Sequence, residues 1–275
     1  MLFSIITVSL NAQNLIADTI NSVLSQDFDD YEIIVKDGCS TDNTIKMIPY
    51  DERIRIIIEK DTGIYNAMNQ AIKKAKGEYL LFLNCGDKLY SNDVLSTVAS
   101  AIKEQNLKDS IVYGNRYTEE LGIITYPKKI KKNHFYYSTI CHQAAFIARS
   151  VFEVVGFYDE TNKIVSDREF FLDCAIKKVN YVYLDKTLCE FRSGGVSETE
   201  KGLQIAKKEM KKVKKTRFNF FERCFLRFAK TWLGQMLVKI KHKIKKWYAR
   251  NYMSSIDILR KFYIKIKTNK NKTRD

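Results

Sequence analysis

The stretch Glu78–Asp87, EYLLFLNCGD, decides the fold, because a short apolar run passes directly into a polar, acidic turn. Tyr79 to Leu83 follow Gly77, which ends a helix, and suit a central strand of a parallel sheet covered on both faces. Ligands in open α/β sheets sit in the crevice beyond the carboxyl ends of such strands. Asn84, Cys85, Gly86 and Asp87 therefore stand where a substrate would be. Gly86 lets the backbone approach a ligand, and Asp87 offers the hard oxygen that Mg²⁺ or Mn²⁺ accepts. The alternative is an ordinary turn in which Asp87 starts the next helix.

Working outward, the same alternation recurs. Phe3 to Val8 form a strand ending in Ser9, Leu10 and Asn11, and Ile16, Ile20, Val23 and Leu24 repeat at the spacing of a helix laid on a sheet. Tyr31 to Lys36 form a second strand that breaks into Asp37, Gly38, Cys39, Ser40, Thr41 and Asp42 before a short helix. Asp37 is thereby a carboxylate at a strand's carboxyl end, where a base or ribose can be held. Arg53 to Ile58 form a third strand, followed by Asp61, Thr62, Gly63 and a helix whose buried stripe is Ile64, Met68, Ala71, Ile72 and Ala75. Strands alternating with helices through residue 105 predict an α/β fold built on a mostly parallel, doubly wound sheet. Neither G-x-G-x-x-G after the first strand nor G-x-x-x-x-G-K-[ST] anywhere is present, which argues against dinucleotide and P-loop sites.

Between Ser110 and Ala148 the strand-like runs IVYGN, IITY and CHQAAFIA predict mixed or antiparallel pairing. Asp167 to Ala175 read as a helix with an acidic first turn, Tyr181 to Leu184 and Thr187 to Phe191 as two strands, and Arg192 to Gly195 as a loop. Six cysteines without a C-x-x-C pair suggest neither a zinc site nor a disulfide framework, and fit a reducing cytoplasm. No signal peptide and no apolar run long enough to span a bilayer is expected.

The net charge of +15 is unevenly spread. From Lys201 onward there are 24 basic and 4 acidic residues, against 23 and 28 in the first 200. This predicts a catalytic body at 1–200 and a basic helical tail at 201–275 that seeks a polyanion.

Several features then coincide in order: SLNAQNLIADTINSVLSQ, DGCSTDNT, DTGIYNAMNQAIKKAKGEYLLFLNCGD, CHQAAF and SDREFF. Together they resemble the inverting nucleotide-sugar glycosyltransferases of family 2, with the GT-A fold, over about the first 200 residues. The resemblance implies a nucleoside-diphosphate sugar bound at the carboxyl edge of the sheet, a divalent cation (Mg²⁺ or Mn²⁺) on the diphosphate, and a carboxylate that deprotonates the acceptor hydroxyl. It implies donor contacts at Ser9, Asn11, Asp37, Asp61, Asn69 and Asn84, the metal ligand at Asp87, and the base at Asp167 with Arg168 and Glu169 holding it ionised. His142 would meet the diphosphate, the metal or the acceptor, and Arg192 would close over the diphosphate. Asn84 and Gly86 stand where the family's Asp-x-Asp pattern often has further carboxylates, so metal affinity would rest on one protein carboxylate plus the diphosphate. The Gln-x-x-Arg-Trp element of processive polysaccharide synthases is missing, which favours addition of one sugar.

A saccharide or lipid-linked saccharide is the expected acceptor. In the tail, Phe218, Phe221, Phe225, Phe228 and Trp232 fall on one side of a helix and Arg223, Arg227 and Lys230 on the other, the layout of an interfacial helix on an anionic membrane. The expected location is the inner face of the cell membrane, peripherally bound. The rival readings are a nucleotidyltransferase, whose glycine-rich basic signature near the first strand is not seen, and a nucleic-acid-binding protein, for which no recognised module is found.

Overall fold

The structure, a computed structural model, describes residues 1–231. Its strands are β1 (Phe3–Ser9), β2 (Tyr31–Asp37), β3 (Ile54–Ile58), β4 (Tyr79–Phe82), β5 (Lys88–Leu89), β6 (Ser110–Thr118), β7 (Gly122–Ile124), β8 (Ala145–Ala148) and β9 (Asn180–Glu190). They form one sheet in the order β3-β2-β1-β4-β8-β6-β9-β5, with β7 paired to β6. β3, β2, β1 and β4 run parallel, and most paired residues in the whole sheet are in parallel register. β8 then enters antiparallel to both β4 and β6, the reversal that the broken pattern beyond Ser110 predicts.

The helices are α1 (Ile16–Leu24), α2 (Ile64–Ile72), α3 (Val94–Glu104), α4 (His134–Tyr137), α5 (Arg149–Val155), α6 (Ser166–Ile176), α7 (Glu200–Arg217) and α8 (Phe220–Ala229). Burial explains the central strands: every residue of β4 and β2 is buried, whereas Ile56 and Ile58 of edge strand β3 are exposed. Gly77 makes the sheet's entry possible, since a Cβ there would lie 2.5 Å from the carbonyl carbon of Phe3. Its N–H donates to Ser4 Oγ, which donates in turn to Glu32, tying β4's approach to β1 and β2.

Four local readings are corrected. At the start of α2 Ile64 is exposed and Tyr65 is buried in its place, while Met68, Ala71, Ile72 and Ala75 are buried as expected; Tyr65 is covered by Tyr158, with ring centroids 5.6 Å apart. The two strands expected at 181–191 are one, β9, which bends at irregular pairing with β6 instead of breaking. CHQAAFIA is not strand throughout, because His142–Ala144 form a 3₁₀ turn before β8. After Asp42 the chain makes only the 3₁₀ turn Ile45–Met47.

The chain divides into two units, 1–214 and 215–275. Residues 200–214 of α7 thus fall within the first unit, where the sequence reading placed the division at 200. In the second unit α8 starts at a capping box formed by Asn219 and Glu222. Phe220, Phe221, Phe225 and Phe228 are exposed on it. Phe218 is off the expected aromatic stripe: it precedes the cap and is buried. Trp232, the remaining member of that stripe, lies outside the described residues, as does the basic segment after it. No helix among the described residues is long and apolar enough to cross a membrane.

Candidate active site

The carboxyl ends of β1, β2 and β3 build the first part of the crevice. Asp37 is fully buried at the end of β2, and its carboxylate accepts hydrogen bonds from Ser9 Oγ (2.8 Å), Ser40 N (2.7 Å) and Ser40 Oγ (2.6 Å). It organises the loop from behind. Asn11, in left-handed backbone at φ 50°, donates its backbone N–H to Ser40 Oγ and accepts from Thr41 N through its side-chain oxygen, while its side-chain nitrogen Nδ2 bonds nothing among the described residues. Lys36 is also fully buried, with its ammonium satisfied by the carbonyls of Asp37 and Glu59 and by Asp61 Oδ2 at 3.0 Å. That contact fixes Asp61, 13% exposed, beside Gly38, where a Cβ would come within 2.7 Å of its carboxylate. Asn11 and Asp61 are therefore the groups with polar atoms facing outward, and Ser9 and Asp37 stand behind them.

Beyond β4, Asp87 is buried and accepts from Gln143 Nε2 (2.8 Å) and from the backbone N–H of Arg192 (2.9 Å). Burial raises its pKa above the ordinary carboxylate value, against the opposing pull of those donors and of His142 and Arg116. The Arg192 side chain crosses Gly86, which has φ 99° and where a Cβ would meet Arg192 Cδ at 2.8 Å. Its exposed guanidinium bonds nothing among the described residues. Asn84 Oδ1 is buried without a partner there, although Asn84 Nδ2 lies 3.2 Å from His142 Nε2.

No group of three His, Cys, Asp or Glu able to hold a metal occurs among the described residues. The donors present are one buried carboxylate with lone pairs to spare and an orphaned amide oxygen. This set fits a hard cation that completes its shell with substrate phosphates and water, and does not fit a cage built from protein alone.

Asp167 stands in the first turn of α6. It does not cap the helix. Its Oδ2 lies 3.2 Å from His142 Nδ1, and its Oδ1 lies 3.1 Å from the hydroxyl of Tyr65, which also donates to Ile164 O. The His142 and Asp167 side chains are 15% and 17% exposed. Burial pushes the Asp167 carboxyl up, but the hydrogen bond and charge of His142, the Arg168 backbone N–H and the Tyr65 hydroxyl outweigh it and leave the value lowered. Burial likewise disfavours the His142 imidazolium, yet Asp167 outweighs it and the His142 pKa is raised.

The structure thus brings together Asn84, Asp87, His142, Asp167 and Arg192, and separately Ser9, Asn11, Asp37 and Asp61. Asn69 joins neither group. Its oxygen accepts from Tyr158 N, and its nitrogen donates to Tyr158 O and Glu160, so the whole amide is used in clamping α2 to the turn after α5. Arg168 and Glu169 do not orient Asp167 with their side chains: Arg168 donates twice to Phe135 O, and Glu169 accepts from Asn162. The orienting groups are His142 and Tyr65. Sequence reasoning missed Tyr65, Gln143 and Lys36 as site builders. Gln143 had a signal in its position next to His142, and Lys36 in being the one basic residue of the YEIIVK strand run.

Comparison with known proteins decides the family. The family model described as "Glycosyl transferase family 2" matches residues 4–157, more than half of the chain. The chain belongs to glycosyl transferase family 2. A "PGL/p-HBAD biosynthesis glycosyltransferase" of Mycobacterium bovis is 32% identical over 183 residues, covering 63% of this chain and 69% of that protein. Among solved structures, S. aureus TarS 1-349 in complex with UDP superposes with a TM-score of 0.60 at 19% identity, covering 74% of this chain and 64% of that one. The mannosyltransferase PcManGT from Pyrobaculum calidifontis, in complex with GDP-Man and Mn²⁺, gives 0.53 at 16% identity, covering 69% and 56%. These structural likenesses establish the GT-A fold.

Within this family 2 site the His142–Asp167 pair makes a testable electrostatic statement. Its contribution to stability is complete between the ordinary values of the two groups, 3.8 and 6.5. It is lost as pH falls through the depressed value of Asp167 or rises through the elevated value of His142. In Asp167→Asn, burial acts on His142 with its main opponent removed, so the His142 pKa should fall below 6.5 in an imidazole NMR titration. Titration still above 6.5 would assign the raised value to another anion.

Proposed function

We propose that the protein transfers one sugar, with inversion at the anomeric carbon, from a nucleoside-diphosphate sugar to a hydroxyl of a saccharide or lipid-linked saccharide. The observation that carries this reading is the pairing of two unlike carboxylates by adjoining residues: His142 holds Asp167, and Gln143 holds Asp87. Asp167 has an imidazole partner that keeps it ionised and partial exposure that lets an acceptor reach it. As the acceptor oxygen bonds to the anomeric carbon, its proton passes to Asp167 and the bond from that carbon to the diphosphate oxygen breaks on the opposite face. His142 and Tyr65 hold the receiving carboxylate in place, and the unpaired guanidinium of Arg192 suits the departing diphosphate. The UDP and GDP-Man named for the two solved relatives support this donor class. The PGL/p-HBAD biosynthesis named for the mycobacterial relative supports an acceptor in surface glycolipid or polysaccharide synthesis.

Replacing the Asp167 carboxylate by an amide in Asp167→Asn should leave donor binding nearly intact and lower transfer by roughly 10²- to 10⁴-fold, the usual contribution of a general base. The measurement is release of nucleoside diphosphate from a panel of nucleotide sugars with and without acceptor. Wild-type turnover in the variant would end the assignment.

Asp87 has the opposite setting, with only neutral hydrogen-bond donors on its oxygens and a raised pKa, so a cation beside it would relieve a buried charge. We assign Mg²⁺ or Mn²⁺ to this position together with the diphosphate, an assignment supported by the Mn²⁺ in the PcManGT complex. A cation there screens the charge of the diphosphate. Asp87→Ala should therefore raise the Mn²⁺ concentration needed for half-maximal nucleoside-diphosphate binding by about tenfold or more, read by calorimetry. An unchanged requirement would move the ligand elsewhere.

The exposed aromatic residues of α8, with a basic segment following in the sequence, support peripheral attachment to the inner, anionic face of the cell membrane. In the full chain, Phe221→Glu combined with Phe225→Glu should abolish sedimentation with phosphatidylglycerol-containing liposomes while leaving transfer to a soluble acceptor unchanged. If the wild type ignores such liposomes at physiological salt, or RNA competes it away from them, the attachment fails.

A further inference from the structure

Three consecutive backbone N–H groups just ahead of Asp167 converge on a single side chain from α7. Glu209 Oε1 accepts from Lys163 N at 2.7 Å, and Oε2 accepts from Ile164 N at 3.0 Å and Val165 N at 3.2 Å. Successive N–H groups aimed at one point form a concave anion site, and here the chain's own carboxylate fills it. The segment held this way is not incidental to the site. The carbonyl of Ile164 accepts from the Tyr65 hydroxyl that also contacts Asp167, and Val165 is the residue from which α6 begins. α6 has no side-chain cap of its own at that end.

α7 is in turn well anchored near this point. Met210 and Val213 are buried, and the ammonium of Lys214 sits 4.4 Å from the centre of the Tyr136 ring. Its lysines 207, 208, 211 and 212 are exposed, so the helix turns its charge outward and directs Glu209 to the loop. All of these residues lie in the first unit.

We infer that Glu209 is a positioning residue for the transfer reaction, a strut through which α7 sets the placement of Asp167 and Tyr65. The inference rests on the reading of Asp167 as the base. It makes the first 14 residues after Glu200 part of the catalytic unit, although their composition is that of the tail. A carboxylate that accepts three N–H groups cannot be replaced by an alanine without releasing all three. Misplacement of a reacting group by about 1 Å can cost about 10²-fold in rate.

The experiment is a double-mutant cycle in the full chain, scoring kcat, donor KM and thermal melting. Glu209→Ala should lower kcat by about 10- to 10²-fold and leave donor KM within about twofold, because the donor-side residues are untouched. Added to Asp167→Asn, it should lower kcat no further, since the group it positions is already disabled. Glu209→Gln, which keeps the volume and one acceptor oxygen but turns an NH₂ toward a backbone donor, should fold and give an intermediate kcat. A wild-type kcat in the folded Glu209→Gln and Glu209→Ala proteins would overturn the inference. So would a full further loss in the Asp167→Asn background, which is the mark of a merely structural effect. If Glu209→Ala does not fold, Glu209→Gln alone decides by the same two criteria. The single Asp167→Asn variant reports separately on the base: its undiminished turnover would remove the base, whereas its loss beside a wild-type Glu209 series removes only the strut.

Discussion

The site depends on the turn at 141–144, between the edge of α4 and the start of β8. In a 3₁₀ turn successive side chains diverge by about 120°, so neighbours in sequence reach different partners. His142 goes to Asp167 on α6, and Gln143 goes to Asp87 after β4. The turn is itself fixed from beneath. Cys141 donates to Gln143 Oε1 at 3.0 Å and lies 4.0 Å, sulfur to sulfur, from Cys189 on β9. Burial pushes the Cys141 thiol up, but the Cys189 hydrogen bond and the charges of His142 and Arg116 outweigh it and leave the value lowered. One short segment thus sets the separation of the two carboxylates. Hydrogen bonds to charged groups contribute about 1.5–3 kcal/mol each, so neither partner is easily released.

The two carboxylates differ because their partners differ. Asp167 has an imidazole that can be cationic, which lowers its pKa; Asp87 has an amide and a peptide N–H, too weak to offset burial. A pair of acidic groups pushed apart in this way can take separate tasks in one reaction, one accepting a proton and the other requiring a positive partner. The same distinction runs through the part of the crevice built by β1, β2 and β3. Asp37 is enclosed by serine donors and shapes a loop, while Asp61, balanced by buried Lys36, keeps an outward face. Burial of a carboxylate at a strand's carboxyl end is therefore no guide to ligand contact until its hydrogen bonds are assigned.

The parallel half of the sheet was legible because each strand there is a continuous apolar run closed by a polar turn, and such runs have few other solutions. Asp87 was legible as a site candidate from where its run stops, whereas Asp167, in the first turn of a helix, was legible only through the resemblance that SDREFF carries. What could not be read was which neighbour covers each side chain. Tyr65 and Asn69 lie on one face of α2, and their partners come from Tyr158 and Glu160, about ninety residues later. Periodicity reports a face and not its cover, so it chose Ile64 for the core, and the resemblance that implied a donor contact for Asn69 said nothing of Tyr158 and Glu160. Arg168 was read as a companion of Asp167 from adjacency alone, but residues adjacent on a helix point apart, and its guanidinium reaches Phe135.

Charge counting had a similar blind spot in the tail. The lysines of α7 describe its outward face, where solvated charge meets little resistance. The information about structure sits in the few residues that break the pattern. Of the acidic residues after Lys201, two fall within the described region, and both accept backbone hydrogen bonds at the start of a helix or just ahead of one. Glu222 bonds Asn219 N in the capping box of α8, and Glu209 bonds the three N–H groups leading into α6. In a strongly basic helix a lone carboxylate would find salt-bridge partners at every turn, each contributing at most about 1 kcal/mol at the surface. A set of converging N–H groups is the stronger attraction, and it fixes which way the helix faces. On α7 it is the minority charge, Glu209, that ties the helix to the loop ahead of α6.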